Sequence, residues 1–417
     1  MFSVEGIKKS PVIVHWILVV VAAAMSIPVV MFNVLGYDIN PAFLLVPLIS
    51  VAFLVTFNIV GVLYLLSVSC GVASIFIVNK ISPDGDAVRH AFSLILIMFA
   101  PSFLFLGNML GRRVAISRIF FWLSVFSSIF VFVVAFRVLY LDQDVRIYVG
   151  PLEYAYMNAE FLGAPVFATF GVLSLADLIC LQTIMICGSF VGGNHRLPVM
   201  LGFGVSLFCG AFLITGSDSR SAQVLLVWIL GTAIVYAFKN RTSAIRSIVA
   251  ILLIVLATGF CYTRMTESRM LNSLAHIDRG ADEFATGRIE LAIEAFREIV
   301  ASPFIGNGFS GYGRYLSDEG GSKALSMNSS THIYYLTLIW KGGLLFFVPF
   351  ALMLLINLKA CWLARKKTDA TPERFYAWSA VLMAFGPMAM AWDILIVPSA
   401  GALAFLLFGM LAACRKA

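Results

Sequence analysis

Long apolar stretches, separated by short polar segments, dominate this chain. Many of them approach or exceed the roughly 20 residues that an α-helix needs to cross a bilayer. Hydrophobic residues make up 61% of the 417 residues and charged residues only 12%, so a soluble fold could not bury the apolar surface. We therefore predict an all-α polytopic membrane protein that forms a single integral membrane domain over residues 1–417. The apolar stretches run over residues 12–33, 41–79, 90–108, 116–138, 164–189, 197–215, 219–238, 244–261, 331–357, 376–395 and 397–414.

The stretch at 41–79 is too long for one helix, and it carries Asn58 and Gly61 near its middle. Lys and Arg concentrate in the cytoplasmic loops of membrane proteins. Five basic clusters agree on one orientation only if residues 41–79 cross the membrane twice. The sequence thus predicts about 12 spans, with both termini in the cytoplasm. The clusters are Lys8 and Lys9; Arg112, Arg113 and Arg118; Lys239, Arg241 and Arg246; Arg365, Lys366, Lys367 and Arg374; and Arg415 and Lys416.

Two segments on the predicted outer side are long enough to carry function. One covers about residues 139–163 and is rich in Tyr and acidic residues; the other, about 262–330, is a large periplasmic loop between spans nine and ten. Within the large loop, residues 288–300 predict an amphipathic helix that lies on the membrane surface. This helix either only covers the bundle or presents an arginine to a lipid phosphate. Its apolar face holds Ile289, Ile293, Phe296 and Val300, and its opposite face holds Glu290, Glu294 and Glu298.

Several classes of function find no support in the composition. The net charge of +7 comes largely from short loops between spans, which is typical of membrane topology and not of nucleic-acid binding. The seven cysteines lie in or beside apolar segments without metal-ligand spacing, and the five histidines form no zinc motif. No small-residue cleavage site follows the first stretch, so we expect a retained span and not a cleaved signal peptide. We expect no metal and no cofactor.

Three polar features share the predicted outer membrane level. His332 opens the tenth span, where a histidine serves as a cap, a packing residue or a catalyst. Arg220 stands at the mouth of the eighth span, where it serves as an interfacial anchor or as a ligand for an anion. The helix at 288–300, with Arg288 and Arg297 on the edges of its apolar stripe, is the third feature. Their common level favours a shared site.

Three stretches in this order resemble the O-antigen polymerase (Wzy) and O-antigen ligase (WaaL) superfamily. The first is Thr-Gly-Ser-Asp-Ser-Arg-Ser at residues 215–221. The second is Thr-Gly-Arg at 286–288, the amphipathic helix, and Ser-Pro-Phe-Ile-Gly-Asn-Gly at 302–308. The third is His-Ile-Tyr-Tyr-Leu at 332–336 followed by Lys-Gly-Gly at 341–343. The resemblance covers about residues 200–360, and it departs from the family where Ile333 follows the histidine and Lys341 precedes the glycines.

The resemblance implies a metal-independent glycosyl transfer on the periplasmic face, with undecaprenyl diphosphate as the leaving group. It implies that Arg220 and Arg288 bind the diphosphate, with Arg297 as a third cation and His332 as the general base. Arg264, Arg269 and Arg314 are further candidates for substrate contacts. The expected partners are an undecaprenyl-diphosphate-linked oligosaccharide, membrane lipid and a chain-length regulator protein, with no nucleic acid.

Alternatives remain within and outside this class. A repeat-unit polymerase is preferred to a ligase that transfers glycan to lipid A–core, and a flippase for lipid-linked oligosaccharide is the alternative from another class. Transporters carry several ionisable residues deep in the bundle, whereas Asp177 and Lys341 are the main deep charges here. We predict that Asp177 and Lys341 form an ion pair.

Overall fold

The protein is described from a computed structural model. The structure describes residues 11–27, 32–34, 37–39, 41–81, 87–140, 160–161, 164–165, 172–192, 195–216, 220–240, 243–264, 288–309, 331, 333–365, 371–391, 395 and 398–413. The described elements are almost all helical, which confirms the all-α class. Two short antiparallel hairpins are the exceptions: β1 (Phe32–Val34) pairs with β2 (Tyr37–Ile39), and β3 (Glu160–Phe161) pairs with β4 (Ala164–Pro165).

The helices follow the apolar stretches closely. A 3-10 turn at Pro41–Leu45 leads into α2, and a π-helical turn at Ala384–Met388 joins α12 to α13. The helices are α1 (Pro11–Ser26), α2 (Val46–Thr56), α3 (Ile59–Ile81), α4 (Ala87–Gly111), α5 (Ile116–Tyr140), α6 (Val172–Gly192), α7 (Leu197–Gly216), α8 (Arg220–Lys239), α9 (Ala244–Arg264), α10 (Arg288–Ala301), α11 (Tyr334–Arg365), α12 (Pro372–Met383), α13 (Ala389–Ala391) and α14 (Pro398–Ala413).

Seven helices in the described part of the chain are long and apolar enough to cross a membrane. They are α3, α4, α5, α7, α8, α9 and α11, while the helical segments that contain α1, α2, α6 and α14 are apolar but shorter. The protein is therefore a multi-pass membrane protein. Two expected spans prove too long: α1 ends at Ser26 where residues 12–33 were expected, and α6 begins at Val172 where 164–189 was expected. Pro28 and Pro165, which disfavour helix, lie in the parts that were overextended.

Helices α4 and α14 form the centre of the bundle. Every described side chain of α14 from Ser399 to Ala413 is buried, which is expected of a helix that is apolar on all sides. Glycines let the two backbones approach closely: a Cβ on Gly107 would lie 2.1 Å from the carbonyl oxygen of Leu406. A Cβ on Gly409 would lie 2.0 Å from the carbonyl oxygen of Leu104. Small residues drive packing of this kind in membranes, where water supplies no hydrophobic force between helices.

The predicted break in residues 41–79 is present, because α2 ends at Thr56 and α3 begins at Ile59. The two helices also run in opposite directions. Phe43 stacks on Phe99 with ring centroids 3.9 Å apart, and Phe53 contacts Phe105 at 4.8 Å, so α2 runs parallel to α4. Tyr64 and Gly71 of α3 instead meet α4 in descending order, at Met98 and then Leu94. The reversal that twelve spans require is therefore present, while the number of crossings stays a prediction.

Helix ends beside the basic clusters meet in two pairs. The end of α4, which precedes Arg112 and Arg113, meets the end of α14, because a Cβ on Gly111 would lie 3.0 Å from the Cβ of Ala413. Lys239 at the end of α8 places its ammonium group 5.8 Å from the Phe375 ring at the start of α12. The orientation of the whole bundle in the membrane stays a prediction.

Candidate functional site

Helix α11 is interrupted at Gly343. This residue has φ +64° and ψ −178°, a backbone conformation that is essentially restricted to glycine. The interruption leaves the carbonyl groups before it and the amide groups after it without partners in their own helix. At about 1.5 Å per residue, it lies about 13 Å along the helix from Tyr334. Unpaired backbone groups at such a depth are tolerated only where the protein itself satisfies them.

Residues 303–308, here called the docking loop, satisfy these groups. The amides of Leu344 and Leu345 donate to the carbonyl oxygens of Pro303 (2.9 Å) and Phe304 (3.1 Å). In the other direction, the amides of Asn307 and Gly308 donate to the carbonyl oxygens of Trp340 (3.0 Å) and Lys341 (2.9 Å). The Ser-Pro-Phe-Ile-Gly-Asn-Gly and Lys-Gly-Gly stretches, separated in the sequence, therefore form one structural unit.

Two further glycines make this close approach feasible. Gly306 and Gly308 have φ of +74° and +83°, which favours glycine. A Cβ on Gly306 would lie 2.5 Å from both the amide nitrogen of Gly343 and the carbonyl oxygen of Lys341. The backbones of the docking loop and α11 thus approach so closely that only glycine fits at this position.

Helices α3 and α4 hold the docking loop from the other side. The hydroxyl of Ser74 donates to the carbonyl oxygen of Ile305 at 2.7 Å. A Cβ on Gly308 would lie 2.8 Å from Nδ1 of the buried His90. Beyond the loop, the buried Phe309 packs edge-on against Phe346, with ring centroids 5.2 Å apart. The loop is therefore enclosed between α3, α4 and α11.

A carboxylate joins α10 to the part of α11 that precedes Gly343. Oε2 of Glu298 accepts hydrogen bonds from the indole Nε1 of Trp340 and, at 3.3 Å, from Nδ2 of Asn307. Trp340 is 2% exposed, so this carboxylate is what satisfies a buried indole N–H. The ammonium group of Lys341 lies 5.2 Å from the Trp340 ring centroid. Glu298 thus links the amphipathic helix, the docking loop and the interrupted helix.

The amphipathic helix has the predicted polarity, but it faces the protein differently. Its apolar stripe points away from the bundle, since Ile293, Phe296 and Val300 are at least half exposed. For a helix on the membrane surface, the side that carries Glu298 was expected to face water. Instead, this side packs on Trp340 together with the buried Ala295. The prediction came from periodicity alone, which cannot show that a buried indole needs an acceptor.

The predicted catalytic histidine, His332, lies outside the described residues, but both of its neighbours are fixed. Thr331 is buried, and its hydroxyl exchanges a 2.7 Å hydrogen bond with the hydroxyl of Thr337. The same hydroxyl is within 3.0 Å of the carbonyl oxygen of Ile333. The start of α11 is therefore held by hydrogen bonds on both sides of position 332.

The structure places the predicted arginines in different ways. Arg297 is exposed on α10 next to Glu298. The backbones of Arg220, Arg264 and Arg288 are described at the start of α8, the end of α9 and the start of α10, but their side chains lie outside the described residues. Arg269 and Arg314 lie outside the described residues altogether.

Of the stretch at residues 215–221, the structure describes the last two residues of α7 and the first two of α8. Nε2 of Gln223 in α8 donates to the carbonyl oxygen of Thr215 in α7 at 3.0 Å. The Thr215 hydroxyl is 3.3 Å from that of Thr258, so the end of α7 is attached to α9. The end of α7 thus contacts both α8 and α9.

The predicted ion pair remains a prediction. Asp177 and Lys341 are both buried, at 1% exposure each, as expected of charges deep in a bundle. Within the described residues, no group of three His, Cys, Asp or Glu side chains lies close enough to hold a metal ion.

The interruption of α11 was not anticipated from the sequence. The available signal was Gly342-Gly343 inside an apolar span, together with the two glycines of the docking loop. Each pair is ordinary in a membrane helix or a turn. Only their mutual contact shows that they form one feature.

A family model described as O-antigen ligase (Wzy_C) matches residues 205–351. The matched region begins within α7 and ends within α11, so it contains the α7–α8 turn, α10, the docking loop and the interruption. The search of curated proteins found no match. The match shows that residues 205–351 are similar to the O-antigen ligase family, in agreement with the resemblance to the polymerase and ligase superfamily that the motifs of this region carry.

Proposed function

We propose that the protein polymerises O-antigen or exopolysaccharide repeat units. It transfers the glycan from undecaprenyl diphosphate to a lipid-linked acceptor repeat on the periplasmic face of the bacterial inner membrane. Both termini are then cytoplasmic, at the basic end of the bundle. A lipid-linked acceptor suits an enzyme whose polar features gather at one membrane level.

One observation carries this proposal. The docking loop is held to both sides of the interruption in α11 by four backbone hydrogen bonds, and position 332 directly precedes the start of this helix. The region matched by the family model contains every part of this unit. A rigid framework that holds a base near a helix carrying Arg288 and Arg297 is what a transfer with a good leaving group needs.

In the proposed reaction, His332 takes the proton from the acceptor hydroxyl as its oxygen bonds to the anomeric carbon. The bond from that carbon to the diphosphate breaks, and the diphosphate leaves with the bonding electrons. Arg220 and Arg288 stabilise the developing charge, because guanidinium groups bind phosphate oxygens through paired N–H donors. Arg297 is a third cation, and Arg264, Arg269 and Arg314 contribute further substrate contacts. No metal takes part in this scheme.

A ligase is the second candidate, because the matching family model is described as O-antigen ligase. The chemistry at the donor is the same, and the acceptor becomes lipid A–core. The residues assigned above therefore do not separate the two reactions. The acceptor has to be determined directly.

The test is a deletion of the gene in its native bacterium, followed by analysis of surface lipopolysaccharide and of the lipid-linked sugar pool. A polymerase predicts core capped by a single repeat, with single-repeat lipid carriers accumulating. Complementation with the wild-type gene should restore the polymer, and the His332→Ala gene should not.

Other outcomes assign the protein differently. Bare core with long polymer on its lipid carrier identifies a ligase. Bare core with single repeats trapped on the cytoplasmic leaflet rejects both transfer reactions in favour of transport. An unchanged polysaccharide profile contradicts the proposal as a whole. A chain-length regulator, if it acts as a partner, should change the length distribution and not the linkage.

A further inference from the structure

The two halves of α11 fold toward each other at Gly343. The ring centroids of Tyr334 and Phe350, which lie on opposite sides of the interruption, are 6.2 Å apart. A continuous helix would separate positions 334 and 350 by about 24 Å, at about 1.5 Å per residue. The interruption is therefore a sharp bend, and the start of α11 lies back beside Phe350.

The half of α11 after the bend has the length and the surface of a membrane span. Residues 344–365 would extend about 33 Å at 1.5 Å per residue, enough to cross the roughly 30 Å core of a bilayer. Leu345, Val348 and Leu355 in this half are 53%, 48% and 57% exposed, as expected of a side that faces lipid. The crossing therefore does not need the residues before Gly343.

Residues 334–342, here called the re-entrant segment, are instead enclosed by protein. Every residue of this segment is buried or only partly exposed. Tyr334, Leu338 and Trp340 are at most 2% exposed. Backbone that enters a membrane and returns on the same side is tolerated where the surrounding protein covers it. The re-entrant segment thus belongs to the interior of the bundle.

The start of the re-entrant segment lies well below the bend. Phe350, beside which it packs, is seven residues past Gly343, or about 10 Å at 1.5 Å per residue. The hydroxyl of Tyr335 donates to the carbonyl oxygen of Phe385 at 2.6 Å. Phe385 is itself inside the bundle, because its ring packs on Phe405 of α14 at 4.9 Å between centroids. Two contacts with different helices therefore agree on this depth.

The π-helical turn of α12 supplies the acceptor for Tyr335. In a regular α-helix the amide of Ala389 would donate to the carbonyl oxygen of Phe385. Here the amide of Ala389 donates to the carbonyl oxygens of Ala384 and Gly386 instead. The Tyr335 hydroxyl takes the place of that donor, so the two irregular elements, the π-helical turn and the re-entrant segment, are joined by one hydrogen bond.

This hydrogen bond is also next to the proposed base. Position 332 is three residues before Tyr335, and its neighbours Thr331 and Ile333 are tied to the first turn of the segment by the Thr331–Thr337 hydrogen bond and by the amide of Thr337, which donates to Ile333. Those bonds hold the turn to itself. The bond from Tyr335 to Phe385 instead fixes the turn relative to α12.

We propose that Tyr335 is a positioning residue for glycan transfer, because it holds the turn that carries position 332 at a recessed place in the bundle. The inference rests on the proposed function, which assigns the general base to His332, and it leaves the arginines assigned above unchanged. A base that is recessed and enclosed meets less water. This favours a sugar hydroxyl over water as the acceptor and so suppresses hydrolysis of the donor.

The test is a double-mutant cycle on glycan transfer by the purified full-length protein with a lipid-linked donor. Tyr335→Phe removes the hydroxyl and keeps the ring. We expect kcat to fall about 10- to 100-fold, the cost of a misplaced catalytic group, while KM stays within about threefold. In the His332→Ala background, Tyr335→Phe should cause no further fall, because it acts only through the histidine.

Tyr64→Phe is the matched control. It also removes a tyrosine hydroxyl that donates to a carbonyl oxygen of another helix, that of Met98 at 3.0 Å. Its thermal unfolding temperature should fall by about as much as that of Tyr335→Phe, and its glycan transfer should stay at the wild-type rate. A loss of kcat confined to Tyr335→Phe is then not a general effect of losing a hydrogen bond between helices.

A second measurement tests the bend and does not depend on activity. The pair Tyr334→Cys and Phe350→Cys should be joined by dibromobimane, a short thiol cross-linker, with the linked peptides identified by mass spectrometry. The pair Tyr334→Cys and Leu358→Cys, about two helical turns further along α11, should not be joined. A continuous α11 predicts that neither pair is joined.

Three results overturn the inference: no cross-link between positions 334 and 350, a kcat for Tyr335→Phe within about threefold of wild type, or losses by Tyr335→Phe and His332→Ala that multiply. If His332→Ala still abolishes transfer in any of these cases, the proposed function stands without the positioning role. An unchanged polysaccharide in the deletion strain rejects the proposed function itself.

Discussion

At the scale of single residues, the hydrogen bonds of the half-buried Glu298 offset the cost of removing its carboxylate from water. Its carboxylate accepts hydrogen bonds from a buried indole and from the side chain of Asn307 in the docking loop. Charge-assisted hydrogen bonds of this kind are stronger than neutral ones. The residue therefore orders a loop that has little other side-chain support on this side.

We expect Glu298→Ala to destabilise the protein, because the N–H of Trp340 loses its acceptor while remaining buried. The cost should be about 1–3 kcal/mol, seen as a lower thermal unfolding temperature in detergent. Glu298→Gln is the matched control, since its amide oxygen can still accept from Trp340 and should recover much of the loss. Equal destabilisation by both variants would show that charge, and not the hydrogen bond, is what matters.

For His332, we expect replacement by Ala to reduce glycan transfer by roughly 100- to 10,000-fold, the range typical of a general base. Transfer should be measured with purified protein and a lipid-linked donor, and protein folding should be checked by thermal unfolding. Activity that stays within about tenfold of wild type would remove the base assignment. Thr331→Ala is a useful comparison with His332→Ala, because it removes the hydrogen bond to Thr337 but keeps the histidine side chain.

At the scale of elements, the interrupted α11 and the docking loop stabilise each other. Neither could exist alone in a membrane, because each presents backbone groups that only the other satisfies. The amphipathic α10 enters this arrangement at its end, and its exposed apolar stripe continues into Phe304, which is 61% exposed. Such a stripe is suited to contact lipid at the interface.

Gly343→Ala should be severely destabilising. The conformation at this position strains any other residue by about 1–3 kcal/mol, and a Cβ would lie 2.3 Å from the carbonyl oxygen of Phe304. We expect a large loss of folded protein on size-exclusion chromatography and loss of polysaccharide assembly. Gly259→Ala in α9 is the control, because no described atom lies within 4 Å of the added Cβ, and its effect should stay within about 1 kcal/mol.

At the scale of the whole molecule, the orientation of the bundle can be tested directly. Alkaline phosphatase, which is active only outside the cytoplasm, should be inactive when fused after Asn58, Asn240 or Lys367. Fusions within the segments 82–86 and 265–287 should be active. The fusion after Asn58 is the decisive one, because activity there would mean that residues 41–79 do not cross twice. The wild-type protein carrying a C-terminal fluorescent protein serves as a cytoplasmic control.

Much of the architecture follows from local properties of the chain. The break between α2 and α3 and the amphipathic character of α10 were predictable, because apolar runs, charge bias and helical period can be read within short windows. The ends of α1 and α6 were less predictable, since an apolar stretch can continue beyond the helix that it forms.

The sequence by itself determined that this is a multi-pass helical membrane protein, and its motifs indicated the superfamily, because hydrophobicity and short motifs need no partner to be recognised. The tertiary structure alone decided that residues 303–308 fill an interruption in α11 and that Glu298 accepts the hydrogen bond of the Trp340 indole. These contacts join residues that are distant in the chain: Glu298 and Trp340 are 42 positions apart, and Ser74 and Ile305 are 231 apart. The need of a buried N–H or carbonyl group for a partner is general, but which residue supplies that partner depends on how the helices pack.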